Sequence, residues 1–202
     1  SIVLHEMAHG YAADALGDPT PRIQGRLTAN PVAHLDPVGS VLIPAFLFLT
    51  NAGILFGWAK PVEYNPYNLT DQKYGEAKIA AAGPVMNICI AVLFGMLVRF
   101  AGPLELSVAV VDIASAVVYI NILLALFNMI PVPPLDGSKI LSALLPFKLA
   151  LQYRELMRTI ERYGIIVLFI VLFLLINLIW PFLFSAVVTA ASFLAGVSPS
   201  AF

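Results

Sequence analysis

Charge is what this sequence has least of. Only 11% of its 202 residues are Asp, Glu, Lys or Arg, while 60% are hydrophobic. A soluble domain carries about 25% charged residues, so the chain lacks the polar surface of a soluble fold. Its mean hydropathy of +0.90 points the same way. The expectation is an all-α polytopic membrane protein forming a single membrane-embedded domain over 1–202. The net charge is −1, and no basic cluster is interleaved with aromatics, which argues against a nucleic-acid partner. A lone cysteine, Cys89, leaves no disulfide framework and no thiolate metal site. In its apolar run it reads as a small core residue. Internal repeats and low-complexity linkers are also missing. Histidine is scarce, with three in the chain, and two of them stand four residues apart.

The apolar runs divide the chain. Glu76–Ala101, Leu106–Ile130 and Tyr163–Trp180 are long enough to span a bilayer. Phe182–Leu194 is a further apolar segment, set off by Pro181, which is expected to break the helix before it. The first helix should run to about Leu16, with Gly17 as its C-cap. A span needs about 20 residues, so this helix is expected to have lost its start. Arg22–Pro31 is too polar to cross, and its alternation predicts a short strand or β-hairpin. Pro37–Gly57 is apolar but interrupted by Pro44 and Gly53, so it either spans or re-enters. Residues 138–162 predict an interfacial amphipathic helix. Leu149, Tyr153, Leu156, Met157 and Ile160 share one face, and Arg154, Arg158 and Arg162 another.

The first histidine pair sits in His5-Glu6-Met7-Ala8-His9. On a helix, side chains four apart project from one face. Both imidazoles can then reach one zinc ion, with Glu6 beside it as a general base. Catalytic zinc takes three protein ligands and leaves a fourth position open. Asp136, in the proline-rich break after Ile130, is the expected third ligand. His34, in a loop, is a rival for contact with metal or substrate, or else makes a loop hydrogen bond. Asn128 and Asn87 are candidate donors to a developing oxyanion, with Asn121 weaker. An interhelical hydrogen bond is the plain alternative for each. A protease working on a lipid-embedded helix must hold its substrate unwound. Strand addition along Gln24–Asn30, including Gly25 and Leu27, is the expected clamp.

Topology ties these pieces together. His5, His9 and Asp136 can meet only if the ends of their helices lie toward the same membrane face. A re-entrant Pro37–Gly57 achieves this. It also leaves every lysine and arginine except Arg99 on one side, which the positive-inside rule identifies as the cytoplasm.

The chain resembles the site-2 protease family of intramembrane zinc metalloproteases. The resemblance rests on His5-Glu6-Met7-Ala8-His9, on Gly83-Pro84-Val85-Met86-Asn87, and on Asn128 through Leu135-Asp136-Gly137. Gly25-Arg26-Leu27-Thr28-Ala29-Asn30-Pro31 and Gly57-Trp58-Ala59-Lys60-Pro61-Val62 look like the compact bacterial or archaeal branch, with no PDZ or CBS insert visible. The resemblance implies zinc held by His5, His9 and Asp136, with Glu6 catalytic and Asn128 at the active site. It implies a three-helix catalytic core and the cutting of single-span membrane proteins within a prokaryotic cell membrane. The family often has Asn-Pro-Asp-Gly where this chain has Pro134-Leu135-Asp136-Gly137, and its minimal core has no counterpart of Pro37–Gly57. A non-catalytic membrane-helix-binding adaptor and a metal transporter are the competing readings.

Overall fold

The computed structural model describes residues 1–51, 57–162, 164–196 and 198. Its helices are α1 (Ile2–Ala15), α2 (Thr20–Ile23), α3 (Ile43–Leu49), α4 (Gly75–Arg99), α5 (Val108–Asn128), α6 (Asp136–Leu144), α7 (Phe147–Arg162) and α8 (Gly164–Ala195). Only α4 and α5, at 25 and 21 residues, meet the length and apolarity of a membrane span among the residues searched. At about 1.5 Å per residue they reach roughly 37 and 31 Å, against a hydrocarbon core of about 30 Å.

The α4 helix is the hub, touching α1, α5, α6 and α8. Small residues let the helices close on it. Ala91, Val118, Ile122, Leu183, Val187 and Ala191 form one buried cluster shared by α4, α5 and α8. Gly95 meets Leu194 so closely that a Cβ on it would lie 2.9 Å from the Leu194 Cβ. At the other end of α4, Ala13, Leu69 and Ile79 make a second cluster that seats α1.

The α1 helix stops where its sequence says. Gly17 has φ +102, its N–H bonds to the Asp14 carbonyl at 3.1 Å, and the Asp18 N–H bonds to Ala13 at 3.0 Å. This is the Schellman closure that glycine permits. Asp18 then staples the turn to the loop before α4. Its carboxylate accepts from the Thr20 backbone and hydroxyl, the Asn65 N–H and the Asn68 side-chain amide. Burial pushes the Asp18 carboxyl up, but these donors outweigh it and hold the group below its ordinary value. A depressed carboxyl contributes stability above its unfolded value, about 3.9, and loses it as the pH falls through the folded one. Asp18→Ala should cost about 2 kcal/mol by leaving buried donors unpaired. In thermal unfolding, the gap to wild type should shrink as the pH drops below about 4.

Several expectations need correcting. Among the described residues there is no strand, so the predicted β-hairpin over Arg22–Pro31 does not form. Thr20–Ile23 is a helical turn, and Gly25 turns the chain at φ +67. Arg26 is buried and donates to the carbonyls of Ala33, Lys60 and Pro61. The Arg26 guanidinium ties this stretch to the Lys60–Pro61 loop by side chain rather than by strand pairing. Pro181 does not break the last helix, since α8 runs 32 residues through it. Proline removes one hydrogen bond from such a helix, and Leu183 and Val187, just beyond it, are buried in the cluster shared with α4 and α5, which holds the helix through the lost bond. The amphipathic stretch 138–162 is two helices. Leu145, ahead of Pro146, is extended at ψ 146, as a residue before proline prefers.

A π-type helical turn over Pro37–Leu42 runs into α3. Gly39, in that turn, meets Trp58, which follows α3 in the chain. The Trp58 N–H bonds to the Gly39 carbonyl at 3.1 Å, and the Ser40 hydroxyl donates to the Trp58 carbonyl at 2.8 Å. Gly39 is required there, since a Cβ would fall inside the Trp58 ring system. Gly53, the expected interruption, lies outside the described residues, as does Tyr163, the expected start of the penultimate span.

Candidate metal centre

Two histidines one turn apart on α1 and an aspartate opening α6 converge on one point. His5 and His9 lie on the buried face of α1, and Asp136 is the first residue of α6. His5 Nε2 stands 3.0 Å from His9 Nε2. Asp136 Oδ2 stands 3.2 Å from the first and 3.4 Å from the second. Three ligand atoms placed tetrahedrally at about 2.05 Å from a zinc ion are about 3.3 Å apart. The cluster therefore has the spacing of a zinc face, and all three residues are buried.

The protonation pattern agrees. His9 Nδ1 lies 2.7 Å from the Ile79 carbonyl. A carbonyl accepts only, so Nδ1 carries the proton, and in the neutral ring Nε2 presents a lone pair to the cluster. Asp136 Oδ2 is buried with no hydrogen-bond partner. A buried carboxylate oxygen beside an imidazole lone pair is costly unless a cation lies between them. The donors are two imidazoles and one carboxylate, a set suited to zinc.

Two glycines make the convergence possible. Gly83 brings α4 so close that a Cβ there would lie 2.5 Å from both His5 Cε1 and His9 Nε2. Pro84 follows it and removes one bond from the helix ladder in the same stretch. Gly137, next to Asp136, packs directly under the carbonyls of Met129 and Ile130, which fixes the turn carrying the carboxylate.

A pocket of about 110 Å³ opens over the cluster, lined by Glu6, Val62, Tyr64, Asn128 and Lys139, among others. Glu6 Oε2 accepts the Val62 N–H at 2.9 Å, so one oxygen of the expected base is held by the loop that returns from the Pro37–Gly57 segment. Asn128 donates to the Leu124 carbonyl of its own helix at 2.9 Å and faces the pocket.

The structure thus brings together five of the expected residues: His5, Glu6, His9, Asn128 and Asp136. Four others stand apart from the pocket lining. Asn87 is fully buried on α4. Gly25 is exposed in a turn, and Leu27 packs toward Gly10. His34 is buried, with Nε2 bonded to the Thr28 carbonyl at 2.9 Å, the loop role. Asn121 takes the interhelical one, bonding Ser1 Oγ at 2.8 Å. Sequence reasoning missed Val62, Tyr64 and Lys139. For Val62 the signal was the Gly57–Val62 stretch, whose side chains say nothing of a backbone amide aimed at Glu6; Tyr64 and Lys139 carried none.

Helices packed around a buried two-histidine, one-aspartate cluster that could hold a metal ion, with a pocket open beside it, define a helical protein with a candidate catalytic metal centre. Comparison with known proteins gives the family. The model of peptidase family M50 matches residues 101–175. YwhC of Bacillus subtilis (strain 168), named as a candidate zinc metalloprotease, is 37% identical over 91% of this chain and 82% of its own length. Rip2 of Mycolicibacterium smegmatis, named likewise, is 29% identical over 68% of this chain, which spans 51% of that protein. MJ0392 of Methanocaldococcus jannaschii, named a zinc metalloprotease, is 26% identical over 73% of this chain and 33% of its own length. No solved structure matches the chain. The chain belongs to peptidase family M50, the site-2 protease family, and the metal of that family is zinc.

Proposed function

We propose that this chain is an intramembrane zinc endopeptidase that cuts single-span membrane proteins in or near their transmembrane segments. The observation that carries the reading is the meeting of His5 Nε2, His9 Nε2 and Asp136 Oδ2 in a pocket that Glu6 also lines. These three side chains would hold the zinc. The metal, when bound, polarises a carbonyl and brings the pKa of a water toward ~7.

The protein's own groups do the rest. Glu6 takes the proton from the attacking water and passes it to the departing amine. Its hydrogen bond from Val62 keeps one carboxylate oxygen fixed, which leaves the other to face the reacting centre. Asn128 uses the amide N–H not spent on Leu124 to stabilise negative charge on the substrate carbonyl oxygen.

Membrane placement follows from three supports. The α4 and α5 helices are long and apolar enough to cross. Gly39 and Trp58 are hydrogen-bonded to each other, which favours a re-entrant Pro37–Gly57 over a crossing one. Lys73 and Lys78 stand at the start of α4, the end nearer the metal centre, and Lys139 lines the pocket, whereas Arg99 closes the far end of α4 beside Phe193. The positive-inside rule then sets the active site toward the cytoplasmic face of a prokaryotic membrane. An adaptor or a metal carrier would use the same histidines but has no need of Glu6.

The test is the full chain in lipid vesicles with a single-span reporter. Cleavage should stop on chelation and return with zinc. Chelator-resistant cleavage, or none in the zinc-loaded protein across a panel of reporters, would sink the proposal.

A further inference from the structure

A histidine that binds a metal through one ring nitrogen almost always donates its other N–H to a fixed acceptor, which sets the tautomer and the ring angle. His9 does so through Ile79. His5 does not, because its Nδ1 is buried and has no direct partner. A second orphan lies on α4. Asn87 is 0% exposed, and neither Oδ1 nor Nδ2 of its carboxamide has a hydrogen-bond partner. Buried polar groups are paired in all but a few cases, by protein or by ordered water.

The helix geometry puts the two orphans together. The α1 and α4 helices run antiparallel. Ala13, late in α1, packs with Ile79, early in α4, and Gly83 lies under both histidine rings. His9 reaches back to Ile79, one turn before Gly83. His5 is one turn earlier in α1 and is therefore displaced the opposite way along α4, toward the turn after Gly83. Asn87 is the residue there, on the same face as Gly83.

We propose that Asn87 is a positioning residue for His5, accepting the Nδ1–H of His5 through one buried water. A buried water needs two to four polar partners, and His5 Nδ1–H with the two ends of the Asn87 amide supplies three. The bridge holds Nε2 of His5 unprotonated and aimed at the metal, as Ile79 does for His9. This gives the Gly83–Asn87 block two tasks: Gly83 makes room for the imidazoles, and Asn87 orients one of them. Asn87 itself touches neither substrate nor metal.

The inference rests on the zinc reading of the site, so the test separates the two. Zinc affinity of the purified full chain is measured by chelator competition for wild type, His5→Ala, Asn87→Ala, Asn87→Asp and Asn121→Ala. A wild type that takes up no zinc, or a His5→Ala variant that binds it as wild type does, overturns the ligand assignment itself. With that assignment intact, Asn87→Ala should weaken zinc about 10- to 100-fold. Asn87→Asp keeps an acceptor and should bind zinc at least as tightly as wild type. Should the alanine variant not fold, the aspartate variant decides alone, because a tenfold loss there contradicts the bridge. Asn121→Ala removes a buried amide whose Nδ2 is bonded to Ser1 and Val117 and which lies on α5 rather than α4, and it should stay within about twofold. Wild-type zinc affinity in Asn87→Ala, or an equal fall in Asn121→Ala, would overturn the assignment of Asn87.

Discussion

Gly83→Ala should strip the protein of zinc and of activity together, although the substitution adds a single methyl group and removes no ligand. The new Cβ would stand 2.5 Å from His5 Cε1 and from His9 Nε2. Non-bonded carbon atoms prefer about 3.5–4.0 Å, so a ring or the whole of α4 must move by about 1 Å. Zinc sites tolerate about 0.2 Å in ligand distance. Neither ring can yield cheaply, because His9 is tied to Ile79 and both face Asp136. Ala is a better helix former than Gly, so α4 should lose nothing in helicity. The expected result is a fall in zinc affinity of about 100-fold or more, taking two displaced ligands at the upper end of the range for one disturbed partner. Circular dichroism should stay unchanged. Metal analysis after dialysis against a mild chelator reads this directly. A Gly83→Ala protein that retains its zinc would mean the histidines are not held where the structure has them.

Glu6→Gln should act the other way round, leaving zinc near one per chain while removing cleavage. Glutamine is nearly isosteric with glutamate, and its carbonyl oxygen can accept the Val62 N–H as Oε2 does now. The loop and the three ligands should stay in place. What is lost is the ability to take a proton from water and return it to the amine. General base–acid catalysis is worth about 10²–10⁴-fold, so a reporter assay should fall to background over a normal time course. Full zinc with no cleavage identifies an enzyme whose base has been removed. Cleavage within tenfold of wild type would assign the proton transfers to another group and return Glu6 to a structural role.

How much of this could be read from residues alone differs from place to place. His5, His9 and Asp136 stood out because ionisable groups are rare in so apolar a chain, and three that match zinc chemistry narrow the choices. The helix stop at Gly17 was legible for a local reason, a left-handed turn that glycine tolerates. Gln24–Asn30 misled because alternation is a weak signal over seven residues. The winning term there is the capture by Arg26 of the nearby Ala33 carbonyl and the distant Lys60 and Pro61 carbonyls. Pro181 misled for a different reason: Leu183 and Val187, beyond it, pack against α4 and α5, and this burial outweighs one lost helix bond. Val62 was invisible because it acts through its backbone N–H, which every residue but proline has. Asn87 was read as a candidate oxyanion donor, yet only the antiparallel packing of α1 on α4 directs it to His5 rather than to substrate.

The proposed centre has one zinc ion joining two side chains of α1 to one that follows more than a hundred residues later. X-ray absorption at the zinc edge of the purified full chain reads those ligands, with Asp136→Ala as comparison. The expected spectrum has only nitrogen and oxygen neighbours at about 2.0–2.2 Å, an imidazole scattering pattern from two rings, and loss of that site in Asp136→Ala. A sulfur neighbour at about 2.3 Å, a single imidazole, or a spectrum unchanged by Asp136→Ala would contradict it.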